Sequence, residues 1–166
     1  MTLNSSDLQY ARMSPATLSK VASRGRYIIA EHIQKINTKL LEISAGTCKR
    51  LIVCMPPRHG KSMLISTHFP PWYLGRFPDR KILLSSYEAN IAANWGRMCR
   101  DLYDEFGLPV FGNSLGATLT RSDWWETERG GMMSTAGVGG ETPTPRTGCY
   151  VVEVRSAGPV RPAWSF

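Results

Sequence analysis

Residues 51–62 constrain the fold more than any other part of the chain. Leu51, Ile52, Val53, Cys54 and Met55 form a short apolar run that stops at Pro56 and Pro57, and Gly60, Lys61 and Ser62 follow just before a helical pattern begins. A continuous apolar run of this length, bounded by turn residues, predicts a strand buried on both faces, here the first central strand of a sheet. A strand that passes through a basic, glycine-containing loop into a helix has the local plan of a phosphate-binding loop. In such a loop the backbone amides and the N-terminus of the helix face phosphate oxygens, where the helix dipole favours negative charge.

Each residue of the loop has a part in that reading. Pro57, Arg58 and His59 form its body, and Gly60 lets the backbone approach the ligand. Lys61 is the mobile cation that reaches the phosphates, and the Ser62 hydroxyl is a ligand for the Mg²⁺ that bridges them. Arg58 adds a planar guanidinium suited to oxygens that gain charge during phosphoryl transfer, which makes it a candidate stabiliser of the transition state. The strict pattern G-x-x-x-x-G-K-[ST] asks for glycine where this chain has Met55. The competing reading is a plain strand-to-helix turn, with Lys61 solvated and Ser62 merely in the first helical turn. His59 in the loop either orients a phosphate or water or hydrogen-bonds backbone, the commoner role.

The surrounding pattern predicts an α/β protein. Ser14 and Pro15 mark the start of a helix that runs to Ala22. Ile29, Ile33, Ile36, Leu40 and Ile43 then line one face of a second helix, which Gly46 ends. The helix that starts at Gly60 is expected to break or kink near Phe69, because Pro70 and Pro71 follow. Residues 81–86 read as a strand. Ser85 and Glu88 have capping-box spacing before a helix carried by Ile91, Trp95, Met98, Leu102 and Phe106. Residues 132–136 read as a third strand leading into the glycine loop 137–140, and residues 150–154 as a strand-like run within a proline-rich tail. Strands alternating with helices imply a parallel sheet with flanking helices. Residues 107–130 carry little pattern, and Trp124 and Trp125 there suit either core or surface.

Composition narrows the function classes. A chain of 166 residues holds one domain with a sizeable core. Its apolar runs are far short of the ~20 residues of a membrane-spanning helix, so no integral membrane protein is expected. Residues 1–10 lack a secretory pattern, which points to the cytosol. The net charge of +7 arises wholly in residues 1–62, where ten Lys or Arg face three acids. Such a half suits a polyanionic partner, and equally a solvated basic face. Cys48, Cys54, Cys99 and Cys149 are too scattered for a disulfide framework or zinc site, and His32 and His68 lack metal-ligand spacing.

The string Leu51 to Ser62, LIVCMPPRHGKS, resembles the variant Walker A loop of the large terminase subunit, the ATPase of the DNA-packaging motor of tailed bacteriophages, in which the first glycine is dispensable. The likeness continues through Phe69, Pro70, Trp72, Tyr73, Leu74, Gly75 and Pro78, and through Ser86, Tyr87, Glu88, Ala92, Trp95, Gly96, Arg97 and Arg100. Gly130, Gly131, Met132, Gly137, Val138, Gly139 and Gly140 resemble the glycine-rich approach to the family's third conserved strand. The covered stretch is residues 27–140.

This resemblance implies an incomplete P-loop NTPase core of the ASCE, or RecA-like, kind that takes ATP and Mg²⁺. It further implies double-stranded DNA, the portal protein and the small terminase subunit as partners, a homo-oligomeric ring in the full-length protein, and the cytoplasm of a bacterial host. On this basis residues 1–22 are a basic helical lead-in, residues 23–140 a partial ATPase domain and residues 141–166 a divergent proline-rich tail. On the same basis the family's C-terminal nuclease domain is expected to be absent. Tyr27 precedes the long helix where such ATPases hold an adenine-stacking side chain, although core packing is the usual fate of such a ring.

The pattern departs from the family after Gly140. The family continues with Thr-Gly-x-Gly-Ala-Asp, four apolar residues and an acidic pair, whereas Thr147 and Gly148 here precede Cys149 and Tyr150, and Ala157 stands where the first acid would fall. Glu153 is a displaced candidate acid, with Val154 rather than a second carboxylate beside it. A change of reading frame or a truncation would account for this, and efficient hydrolysis by the isolated chain is not expected. The alternatives are a small nucleotide or metabolite kinase and a non-catalytic remnant or interaction fragment.

Overall fold

The computed structural model describes residues 4–56, 58–86, 88–121, 123–137 and 149–153. The chain opens with two short helices, α1 (Ser5–Met13) and α2 (Pro15–Ala22). Each has a side-chain cap: Asn4 Oδ1 accepts from the Asp7 amide, and Ser14 and Thr17 form a reciprocal capping box behind Pro15. Helix α3 (Glu31–Ser44) buries Ile33, Ile36 and Leu40, as the periodicity predicts.

The predicted strand at residues 51–55 is not a strand. The backbone there is extended but pairs with no strand among the described residues, and Ile52 is 88% exposed. Leu51, Val53 and Met55 alternate with exposed Ile52 and Cys54 and pack against the edge of the core. One face of this segment is thus covered, not two. The apolar run overstates burial, since Leu51, Val53 and Met55 are only half-buried, and it could not specify a strand partner.

The helix after the loop also differs from expectation. It starts at Lys61, widens into a π-helical segment at Met63–His68 and continues without a break as α4 (Phe69–Arg76), with Pro70 and Pro71 in its first turn. The widened turn admits the proline rings where a regular α-helix would clash with them. From Leu64 to Gly75 every residue of this helical column is buried.

Strand β1 (Lys81–Ser86) follows, then α5 (Ala89–Phe106) and a second π-helical segment, Gly107–Phe111. Glu88, not Ser85, occupies the N-cap of α5, and its side chain makes no capping bond; Ser85 belongs to β1. The expected capping box is therefore absent. Strands β2 (Leu115–Thr120), β3 (Trp124–Thr127), β4 (Met132–Gly137) and β5 (Cys149–Glu153) complete a sheet of order β2-β3-β4-β1-β5. β1 is parallel to β4 and β5, whereas β3 is antiparallel to both β2 and β4. The architecture is α/β, and the sheet is mixed rather than wholly parallel.

Helix α5 packs on β1 and β4, the column at residues 63–76 packs on α5, and α2 lies against the column. Ile82, Leu84, Trp125 and Met133 from the sheet join Leu64, Phe69, Trp72 and Leu74 from the column and Cys99 and Tyr103 from α5 in one core. Trp125 is fully buried, which places the indole in the core. The turn between β3 and β4 is anchored beside β1: Gly131 N donates to Pro78 O at 2.8 Å, and a Cβ at Gly131 would lie 2.3 Å from that oxygen. Only glycine fits there. Among the described residues no helix is long and apolar enough to cross a membrane.

Candidate functional site

The loop at residues 58–62 connects the extended segment to the buried helical column. Two residues reverse the chain with left-handed backbone, Arg58 at φ 64° and Gly60 at φ 79°. A β-carbon at Gly60 would also lie 3.3 Å from Tyr27 Oη and 3.4 Å from Ile33 Cδ1, so conformation and space both favour glycine.

Two side chains from the N-terminal part hold the loop from below. Tyr27 Oη donates to Gly60 O at 3.3 Å, and His32 Nε2 lies 3.3 Å from His59 O, where the ring must be the donor. Gly60 O also accepts from Leu64 N at 3.1 Å, which fixes the first turn of the column. Burial pushes the Tyr27 phenol up to about 12, so it remains a donor through the neutral range. Its ring lies 6.1 Å from that of His68. Tyr27 thus supports the loop and packs against the core, the commoner of the two roles considered for it.

The candidate residues separate by exposure. Arg58 and His59 are exposed and Ser62 is half-buried, whereas Lys61 is only 6% exposed. No ion pair joins Lys61 to a described carboxylate, and no described side chain bonds to the Ser62 hydroxyl. Lys61 is therefore a cation set into the base of the loop at the head of a buried helix, with its counter-charge unsupplied by the described residues. Pro57 lies outside the described residues, as do residues 138–148, which include the glycine loop and the Thr147–Gly148 pair. Glu153 occupies the last position of β5, in register with Ser85. That places it on the strand beside β1 rather than on a partner of residues 51–55.

The histidines gather near the loop without forming a metal centre. The rings of His32 and His59 meet edge to face at 6.0 Å, while His68 Nδ1 donates to Met63 O at 2.8 Å inside the column. No group of three or more metal-ligating side chains occurs among the described residues. No local pattern signals the contacts of Tyr27 and His32 with the loop, since they join positions 33 and 27 residues apart. Comparison with family models, with curated proteins and with solved structures gives no match for the chain.

Proposed function

We propose that residues 58–62 hold the phosphates of ATP with Mg²⁺, and that the chain is the ATP-binding part of a viral terminase large subunit, the motor that packages double-stranded DNA into capsids. The observation that carries the reading is Lys61: a buried lysine without a carboxylate partner among the described residues, at the start of a helix and behind a left-handed turn. A buried cation is costly unless an anion compensates it. A triphosphate would supply that anion while the first-turn amides of the helix meet its oxygens.

The groups present fit the ligand. Lys61 would engage phosphate oxygens, exposed Arg58 would reach charge at the outer side, and the Ser62 hydroxyl is available to Mg²⁺ brought in with the nucleotide. In this reading double-stranded DNA, the portal protein and the small terminase subunit are partners of the full-length protein, which works as a ring in the bacterial host. Turnover is a separate matter. No described carboxylate bonds to Lys61 or Ser62, so no group among the described residues is set beside them to orient an attacking water. The isolated chain would bind ATP and hydrolyse it poorly.

Titration with a fluorescent ATP analogue tests the assignment. Lys61→Ala should abolish binding, and Ser62→Ala should weaken it more with Mg²⁺ than with EDTA. Equal affinity of wild type and Lys61→Ala would reduce the loop to a turn. Phosphate release well above that of the Lys61→Ala control would contradict poor turnover, and Glu153→Gln would then show whether that residue supplies the acid.

A further inference from the structure

A second basic site lies elsewhere on the molecule. Arg12 lies in the last turn of α1, Arg76 ends α4, and Arg129 sits in the β3–β4 turn; these three exposed arginines, together with Phe77, Phe111 and Asn113, line a cavity of about 370 Å³. The volume falls within the range of small-ligand sites. The cavity shares no lining residue with the loop at 58–62.

Its walls are built from packed parts. Trp72, 2% exposed, donates its indole N–H to Arg12 O at 3.1 Å, and the Arg76 guanidinium lies over the same indole, 5.9 Å from the ring centre. Asn113, 4% exposed, uses its amide to donate to Gly75 O at 2.9 Å and Phe111 O at 3.3 Å. A Cβ at Gly75 would come within 2.3 Å of the Phe111 ring, so that ring rests directly on the α4 backbone.

Among the described residues the charge is uncompensated. No lining residue is acidic, and none of the ion pairs among the described residues includes these three arginines. Glu128, beside Arg129, is engaged instead by the Ser114 hydroxyl. Helix dipoles account for cations at the ends of α1 and α4 but not for Arg129 in a turn. The three exposed arginines line one cavity with no carboxylate bonded to them among the described residues, and planar guanidinium donors match phosphate oxygens.

We propose that this cavity binds a multiply charged phosphate ligand, either a free polyphosphate or the phosphate backbone of a nucleic acid. The test uses the full chain in Mg²⁺-free buffer, with tripolyphosphate followed by calorimetry and a labelled double-stranded oligonucleotide followed by anisotropy. The Lys61→Ala background removes the loop's own hold on a triphosphate, so tripolyphosphate bound by that variant is read at the cavity alone, which separates the proposal from the ATP reading of the loop. Arg12→Gln/Arg129→Gln should weaken that binding by at least about tenfold. Lys35→Gln/Lys39→Gln, which removes equal charge from the exposed face of α3, should not. Arg129→Gln alone, in an exposed turn, should act in the same direction and keeps the test open if the double variant misfolds. Loss of oligonucleotide binding in the arginine variants would identify the backbone as the source, and loss confined to tripolyphosphate would identify the free ligand. Equal effects of the arginine and lysine variants on both probes, or no binding of either by wild type at millimolar concentration, would overturn the proposal.

Discussion

The Cys99 thiol of α5 lies 3.0 Å from the Ser66 carbonyl, and 3.4 Å from that of Thr67. In helical register those two oxygens would accept from the amides of residues 70 and 71, and both residues are proline. The thiol thus offers a donor where the prolines remove two. Burial raises the Cys99 thiol well above its ordinary range, so it keeps its proton. This contact ties the helix that packs on the sheet to the column that starts at the candidate site.

Replacing this donor should be felt throughout the fold. Cys99→Ala leaves buried carbonyls without it and is expected to destabilise the chain by about 1–3 kcal/mol, whereas Cys99→Ser should retain more of the stability. Urea midpoints of the three proteins check this. Cys99 should also be the last of the described cysteines to react with a thiol reagent, after exposed Cys54 and half-buried Cys48.

The prolines also show why part of the fold was legible in the sequence and part was not. Helices α2 and α3 carry their signals locally, in Ser14 and Pro15 and in the spacing of Ile33, Ile36 and Leu40. The break expected at Pro70 assumed an isolated α-helix, but a wider turn and a thiol from 33 residues away keep the column intact. The β2–β3 hairpin gave too short an alternation to read, and its place is fixed by pairing with β4 and by the buried Trp125. The residues of the 58–62 loop were evident from their order. Their support by Tyr27 and His32, and the meeting of Arg12, Arg76 and Arg129 at one cavity, depend on tertiary packing that spacing does not encode.

Lys61 should reveal a conflict between stability and binding. If its burial serves an anion, Lys61→Met keeps the stem volume, removes an uncompensated cation and should stabilise the ligand-free chain by on the order of 1 kcal/mol while losing ATP binding. Thermal unfolding with and without nucleotide measures both. A destabilised Lys61→Met chain would mean that the ammonium has a structural role.

Gly60 and Tyr27 should be coupled. Gly60→Ala forces a side chain into left-handed backbone, costing about 1–2 kcal/mol, and also crowds the Tyr27 hydroxyl. Tyr27→Phe removes that hydroxyl together with its bond to Gly60 O. In a double-mutant cycle Gly60→Ala should cost less in the Tyr27→Phe background than in wild type. Strict additivity would show that crowding contributes nothing.

His68 gives the column a pH response. Burial lowers its pKa below the ordinary 6.5, and the hydrogen bond to Met63 O opposes this only in part. The unfolded chain therefore binds the proton more readily than the folded one. The contribution is fully present above about 6.5 and is lost as pH falls from there toward the folded-state pKa. Urea midpoints measured from pH 7.5 down to pH 5 should fall more steeply for wild type than for His68→Gln. Parallel curves would exclude His68 as the source.

The extended segment before the loop should behave as unpaired backbone. No backbone hydrogen bond joins residues 51–56 to another described residue, whereas β1 is paired on both sides, with β4 and with β5. Amide exchange should therefore be much faster at residues 52–55 than at residues 82–85. Ile52, 88% exposed on this segment, presents apolar surface beside unpaired N–H and C=O groups, a combination that favours association between chains. Ile52→Lys should leave the unfolding free energy in urea within about 0.5 kcal/mol of wild type yet raise the concentration at which the chain stays monomeric in sedimentation. Protection of residues 52–55 equal to that of β1, or marked destabilisation by Ile52→Lys, would mean that a strand does cover this segment in solution.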